Sequence, residues 1–139
     1  MQRKRESFCI CITSKFSGSG QSATNAKIFF LKHNPDAKIE VIDSMVNTVL
    51  QGLFVLEAAK MCKAGVPMEA CVKELLDMRE SGRIFFTIGS IDYLKHGGRI
   101  GKLSGLAASV LGIKPLITLK DGEIYSSGIS RSRKAPWLR

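Results

Sequence analysis

Three hydroxyls and two glycines stand together in Ser14-Lys15-Phe16-Ser17-Gly18-Ser19-Gly20, directly after the apolar run Phe8-Cys9-Ile10-Cys11-Ile12 and before a helical pattern. A loop at the carboxyl end of a strand and the amino end of a helix offers unpaired backbone N–H groups and the positive end of a helix dipole, both suited to an anion. Ser14, Ser17 and Ser19 add donors that a glycine-only loop lacks. The competing reading is a plain turn, with Gly18 and Gly20 supplying only conformational freedom. Gly18-Ser19-Gly20-Gln21-Ser22-Ala23 also satisfies G-x-G-x-x-A, with Asp43 at the end of the next strand where a ribose-binding acid would stand. That fingerprint starts almost at once after its strand, whereas Thr13 to Ser17 intervene here, so a small anionic head fits better than a pyrophosphate.

A second constellation is His96-Gly97-Gly98-Arg99, where a short helix ending on two glycines delivers an arginine into a turn. Arginine suits paired hydrogen bonds to a carboxylate or phosphate, although a solvated arginine behind a glycine cap gives the same pattern. His96 has no carboxylate spaced to orient it and reads as a helix-end residue, not a base. Arg131, Arg133 and Lys134 form a third basic group that reads as a solvated face. The four cysteines, 9, 11, 62 and 71, follow the apolar pattern of their surroundings instead of a ligand spacing, and read as buried structural thiols. Neither a metal nor a cofactor is called for.

The elements that must hold these residues follow from periodicity. Residues 8–13 read as a strand, Gln21 to about Leu31 as a helix stopped by His33-Asn34-Pro35-Asp36, and Lys38 to Asp43 as a second strand. This is a βαβ unit with parallel strands. Over residues 46–64 apolar side chains take up most of a helix circumference, which requires cover on more than one side; the second face is either ordinary core, which the pattern favours, or the wall of a cavity. Gly65 terminates that helix, and Pro67 starts another with a single stripe, Met68, Cys71, Val72, Leu75 and Leu76, ending at Ser81-Gly82. Ile84 to Ile88 reads as a buried strand, and Ser90 caps a short helix over 91–96. Leu103, Leu106, Ala107, Val110 and Leu111 imply one more short helix, and Asp121-Gly122 joins Pro115–Lys120 to Glu123–Ile129 as a hairpin.

The fold class is therefore α/β, a parallel βαβ sheet with helices followed by the start of a second α/β domain that contains an antiparallel hairpin. Residues 1–82 form the first partial domain and 83–139 the second. The 139 residues, 45% hydrophobic and 24% charged, are enough for a core and exclude a disordered chain. No apolar run is long enough for a transmembrane segment and none resembles a secretory leader, so a cytoplasmic location is expected. The net charge of +9 is uneven: residues 1–82 carry 11 basic and 9 acidic side chains, and residues 83–139 carry 10 and 3. The second part is thus suited to face an anion, but aromatic residues are only 7% and do not alternate with the basic ones, which makes nucleic acid an unfavoured partner.

In order and spacing, Thr13-Ser14-Lys15-Phe16-Ser17-Gly18, Asp43-Ser44 with Gly52, Tyr93-Leu94-Lys95-His96-Gly97-Gly98-Arg99-Ile100, Ile113-Lys114-Pro115-Leu116, Asp121-Gly122-Glu123 and Arg131-Ser132-Arg133-Lys134 resemble the DegV family. The resemblance runs over residues 8 to 135. It implies a two-domain α/β protein that binds a long-chain fatty acid through its carboxylate, some members presenting the acyl group to a separate fatty acid kinase. On that implication the chain is a lipid-binding protein and not an enzyme. Ser17 matches the serine that holds the carboxylate, with Gly18 and Ser19 in the same loop, and Arg99 matches an arginine near the head group that is implicated in the phosphotransfer complex.

Ser19-Gly20 stand where the family usually has threonine and an aromatic residue, and Leu50 replaces a common glycine. Family members are about twice as long, so the resemblance implies an internal fragment, with Ala135-Pro136-Trp137-Leu138-Arg139 departing from the family pattern. The expected consequence is exposed apolar surface and self-association into a homo-oligomer. A basic nucleic-acid-binding protein and an inactive fragment are the alternatives from other classes.

Overall fold

A computed structural model describes residues 6–103 and 114–130. Two compact units divide after Gly82, Met1–Gly82 and Arg83–Arg139.

The first unit is built on β1 (Glu6–Cys11), α1 (Ser19–His33) and β2 (Lys38–Asp43), followed by α2 (Thr48–Lys63) and α3 (Met68–Ser81). β1 and β2 are parallel and in register from Glu6↔Lys38 to Cys11↔Asp43, the βαβ arrangement that the strand, loop, helix and strand pattern predicts. β1 lies two residues earlier than its apolar run suggests. Its start is extended by Glu6, which reaches Lys38 at 3.6 Å, and its end is set by Thr13, whose N–H turns away from the ladder to the Val46 carbonyl at 2.9 Å. Phe54, Ala58, Met68, Cys71 and Leu75 from α2 and α3 join Cys11, Ile42 and Val46 as the buried apolar residues of this unit.

Two expectations fail here. The second apolar face of α2 is not core: Val49 is 76% exposed, Leu53 48% and Leu56 58%, because only Phe54 and Ala58 of that helix are buried. These three positions, four and three apart, lie along one stripe of the helix. Cys62 is exposed, unlike Cys11 and Cys71; it lies in the last turn of α2, where the chain leaves the helix through the bonds Gly65 N–H to Cys62 O and Val66 N–H to Met61 O. α1 likewise buries no residue, leaving Ile28, Phe29 and Phe30 exposed.

The second unit holds β3 (Phe85–Thr87), α4 (Asp92–His96), a 3-10 turn (Gly101–Leu103), β4 (Lys114–Lys120) and β5 (Glu123–Ser130). The sheet order is β3-β4-β5 and both pairings are antiparallel. Asp121 (φ 52°) and Gly122 (φ 77°) are both left-handed, the backbone of a two-residue type I′ turn whose twist matches the flanking strands. β4 alternates strictly, with Pro115, Ile117 and Leu119 buried. β3 is shorter and less buried than expected: it has three residues, lies at an edge of the sheet, and leaves Phe85 46% exposed. The helix expected from Leu103 to Leu111 lies, apart from Leu103, outside the described residues.

Candidate functional site

The turn after β1 is tied to the turn after β2 by short polar bonds. Ser44, fully buried, donates its hydroxyl proton to the Cys11 carbonyl at 2.8 Å, with the Val46 carbonyl 3.2 Å from the same oxygen, and its N–H donates to the same Cys11 carbonyl at 3.0 Å. Asp43 spans both turns: Oδ1 accepts the Met45 N–H at 2.8 Å and Oδ2 the Ser14 N–H at 3.1 Å. The Asp43–Met45 bond is an Asx turn, and it holds Met45 in a left-handed conformation (φ 56°) that a non-glycine residue adopts only when its surroundings impose it. Gln51 of α2 donates to the Ile10 carbonyl at 3.1 Å, which anchors that helix to β1.

On this base the loop from Thr13 to Gly18 closes in one turn, with the Phe16 and Ser17 N–H groups donating to the Thr13 carbonyl. Helix α1 starts at Ser19, two residues earlier than its apolar pattern indicates, with Gly18 as its N-cap and no side chain capping it. Ser17 instead accepts the Ser19 N–H at 3.2 Å through its hydroxyl oxygen, which leaves the Ser17 proton to donate elsewhere. The N–H groups of Gly20 and Gln21, in the first turn of α1, have no intrahelical acceptor; the first intrahelical bond runs from Ser22 to Gly18 O. Ser17, half-buried, and Gly18 and Ser19, exposed, thus stand together at the mouth of this helix. The arrangement can receive a small anion with hydroxyl and amide donors.

Asp43 has both oxygens engaged by the backbone of the site. Its position at the strand end invites the ribose-acid reading, but its observed work is to fix the two turns. Asp43 and Ser44 are the residues that sequence reasoning passed over as site-builders; the signal was an Asp followed by a turn at the end of a strand, the ordinary setting of an Asx turn.

Arg99 belongs to the second unit. Gly98 (φ 70°) closes α4, with the Gly98 N–H on Lys95 O and the Arg99 N–H on Leu94 O at 2.8 Å, a Schellman cap that only glycine enters without strain. The Arg99 guanidinium folds back onto the Gly97 carbonyl, and the residue is exposed. His96 is exposed in the last turn of α4. The Ser90 hydroxyl accepts the Asp92 N–H at 3.0 Å, just ahead of that helix. In the basic half, Lys102 pairs with Glu123 at 3.5 Å and Lys114 donates to Gly89 O at 3.0 Å; Arg131, Arg133 and Lys134 lie outside the described residues.

Burial raises the Cys11 thiol above its ordinary value, and the neighbouring Cys9 and the Asp43 carboxylate add to this, against a hydrogen bond from Ser19 that lowers it. Among the described residues no set of three or more His, Cys, Asp or Glu side chains is placed to hold a metal ion. No helix of the described residues is long and apolar enough to cross a membrane.

Comparison with known proteins places this geometry in a lineage. The family described as "Uncharacterised protein, DegV family" matches residues 2–137. A DegV domain-containing protein of Clostridium perfringens is 38% identical over 125 residues, which is 90% of this chain and 43% of the relative. A stearic acid-binding protein from Eubacterium ventriosum has a structure that superposes with a TM-score of 0.84 at 48% identity, over 92% of this chain and 44% of its own. The Streptococcus pneumoniae Fatty Acid Kinase (Fak) B3 protein, loaded with linoleic acid, superposes with a TM-score of 0.81 at 29% identity, over 90% of this chain and 45% of its own. The chain spans less than half the length of these relatives. Because that family match covers residues 2–137 of 139, the chain belongs to the DegV family.

Proposed function

We propose that this chain binds a long-chain fatty acid, with Ser17, Gly18 and Ser19 receiving the carboxylate, and that it presents the acyl group to a separate fatty acid kinase in the cytoplasm without catalysing the transfer itself. The observation that carries this reading is the loop geometry: the Ser17 proton and the first-turn N–H groups of Gly20 and Gln21 are available at one helix mouth. A carboxylate removed from water needs several such donors, each charge-assisted bond contributing about 1.5–3 kcal/mol. The exposed stripe of Val49, Leu53 and Leu56 in the same unit supplies apolar surface for a tail, at about 0.8 kcal/mol per buried CH₂ before binding costs. Arg99, exposed behind the α4 cap, takes the part in phosphotransfer that the family resemblance gives it.

The relatives support the substrate class, since the Eubacterium ventriosum protein is a stearic acid binder and the Streptococcus pneumoniae protein carries linoleic acid. The exposed apolar residues of α1 and α2 also favour self-association of this chain. The test is an equilibrium titration with palmitate. Ser17→Ala is expected to weaken uptake by about 1 kcal/mol or more, roughly fivefold; unchanged affinity would remove Ser17 from the site.

A further inference from the structure

Cys9 and Cys11 lie two residues apart on β1, so both side chains point to one face of the sheet, and their sulfurs are 3.7 Å apart. Cys9 is half-buried and Cys11 buried. The pair sits under the start of α1: a Cβ at Gly20 would stand 3.8 Å from the Cys11 Cβ. We propose that Cys9 and Cys11 form a two-thiolate site for a soft monovalent cation of the Cu(I) class.

Ligand chemistry selects the ion. Thiolates favour soft cations such as Cu(I) and zinc, and zinc requires four ligands in a structural site or three and a water in a catalytic one. No third His, Cys, Asp or Glu among the described residues joins the two sulfurs, which leaves an ion satisfied by two. A direct disulfide suits the site less well. Two residues of strand span about 6.4–6.8 Å, the far limit of the Cα separations that disulfides bridge, and an S–S bond would need the sulfurs to close to about 2.05 Å. A bridging ion needs no such closure.

On binding, each thiol gives its proton to solvent and the cation accepts an electron pair from each sulfur, so the product carries one net negative charge. Burial opposes that charge most, holding the Cys11 thiol above its ordinary value, and Asp43, opposite Cys11 in the ladder, adds to this. The Ser19 hydroxyl and the amino end of α1 offset part of it, as helix N-termini do for thiolates. The half exposure of Cys9 gives the ion a way in.

The test uses the reduced full chain carrying Cys62→Ser, an exposed position, so that the only two-thiol site left is the one proposed. Cu(I) is titrated anaerobically against a chromophoric Cu(I) chelator, with Zn²⁺ titrated separately and circular dichroism used to check the fold. The expected result is one Cu(I) per chain, no Zn²⁺ retained, and an affinity on the order of 100-fold lower after Cys9→Ser, since a ligand should cost at least as much as an outer-shell partner. Cys9→Ser alone decides the matter if Cys11→Ala, at a buried position, fails to fold. Equal Cu(I) retention in Cys9→Ser, or no retention by the parent, would overturn the assignment.

Discussion

Replacing Asp43 by alanine is the sharpest test of how the serine loop is held. The carboxylate accepts the Met45 N–H at 2.8 Å in a partly buried setting and the Ser14 N–H at 3.1 Å in an exposed one. The first bond is worth about 1.5 kcal/mol and the second, open to competing water, about 0.5, so Asp43→Ala should lower unfolding free energy by about 2 kcal/mol. Met45 would then have no partner imposing its left-handed backbone, and relaxation of that turn would recover part of the loss, on the order of 1 kcal/mol. Asp43→Asn separates the two bonds. Its carbonyl oxygen can keep the Met45 N–H while its amide faces the Ser14 N–H donor to donor, so the cost should fall below that of alanine while the Ser14 turn is released. Urea unfolding followed by circular dichroism measures the first effect, and palmitate titration the second. If Asp43→Ala changes neither stability nor uptake, the two turns are not coupled through this side chain and the account of the site is wrong.

Other outcomes follow from single contacts. A Cβ at Gly101, a left-handed residue (φ 54°), would meet the Ile124 backbone at 3.0–3.1 Å, so Gly101→Ala should destabilise the second unit by about 1–3 kcal/mol, read from urea unfolding. Thiol labelling of the native chain should modify Cys62 first and Cys11 and Cys71 last, because burial raises both of the latter thiols; peptide mapping reads the order. Lys38 reaches Glu69 at 3.1 Å, which lowers the Glu69 carboxyl, by backbone and Lys38 hydrogen bonds, below its ordinary 4.5 and raises Lys38 above 10.5. The pair therefore contributes between those ordinary values and is lost as pH falls through the lowered Glu69 value or rises through the raised Lys38 value. A Lys38→Met variant, which also loses the Glu6 pair, should fall below the parent most fully within that window, and only slightly, because these groups are exposed.

What the sequence makes legible is what local chemistry decides. Asp121-Gly122 announces its hairpin because few residue pairs accept two consecutive left-handed conformations. The parallel βαβ unit is legible because two short apolar runs flank a helical one. Ser17, Gly18 and Ser19 are legible as loop chemistry, but the helix begins at Ser19 because Gly18 caps it without a side chain, so the apolar pattern, which starts later, sets the boundary too late. α2 shows the limit most plainly: its wide apolar stripe says that cover is needed and cannot say what supplies it, and Val49, Leu53 and Leu56 are exposed. The bracing work of Asp43 and Ser44 stayed hidden for another reason, since beside their local bonds to Met45 and Val46 each also reaches a backbone group of a turn 29 to 33 residues away in sequence.

Native mass spectrometry of the chain purified from bacteria, before and after delipidation and re-exposure to palmitate, decides whether the chain holds a fatty acid. The expected spectrum carries a co-purifying mass in the long-chain fatty-acid range that is lost on delipidation and restored at one acyl chain per protein, with weaker restoration for Ser17→Ala. A folded, delipidated chain that takes up no palmitate at micromolar concentration would contradict fatty-acid binding.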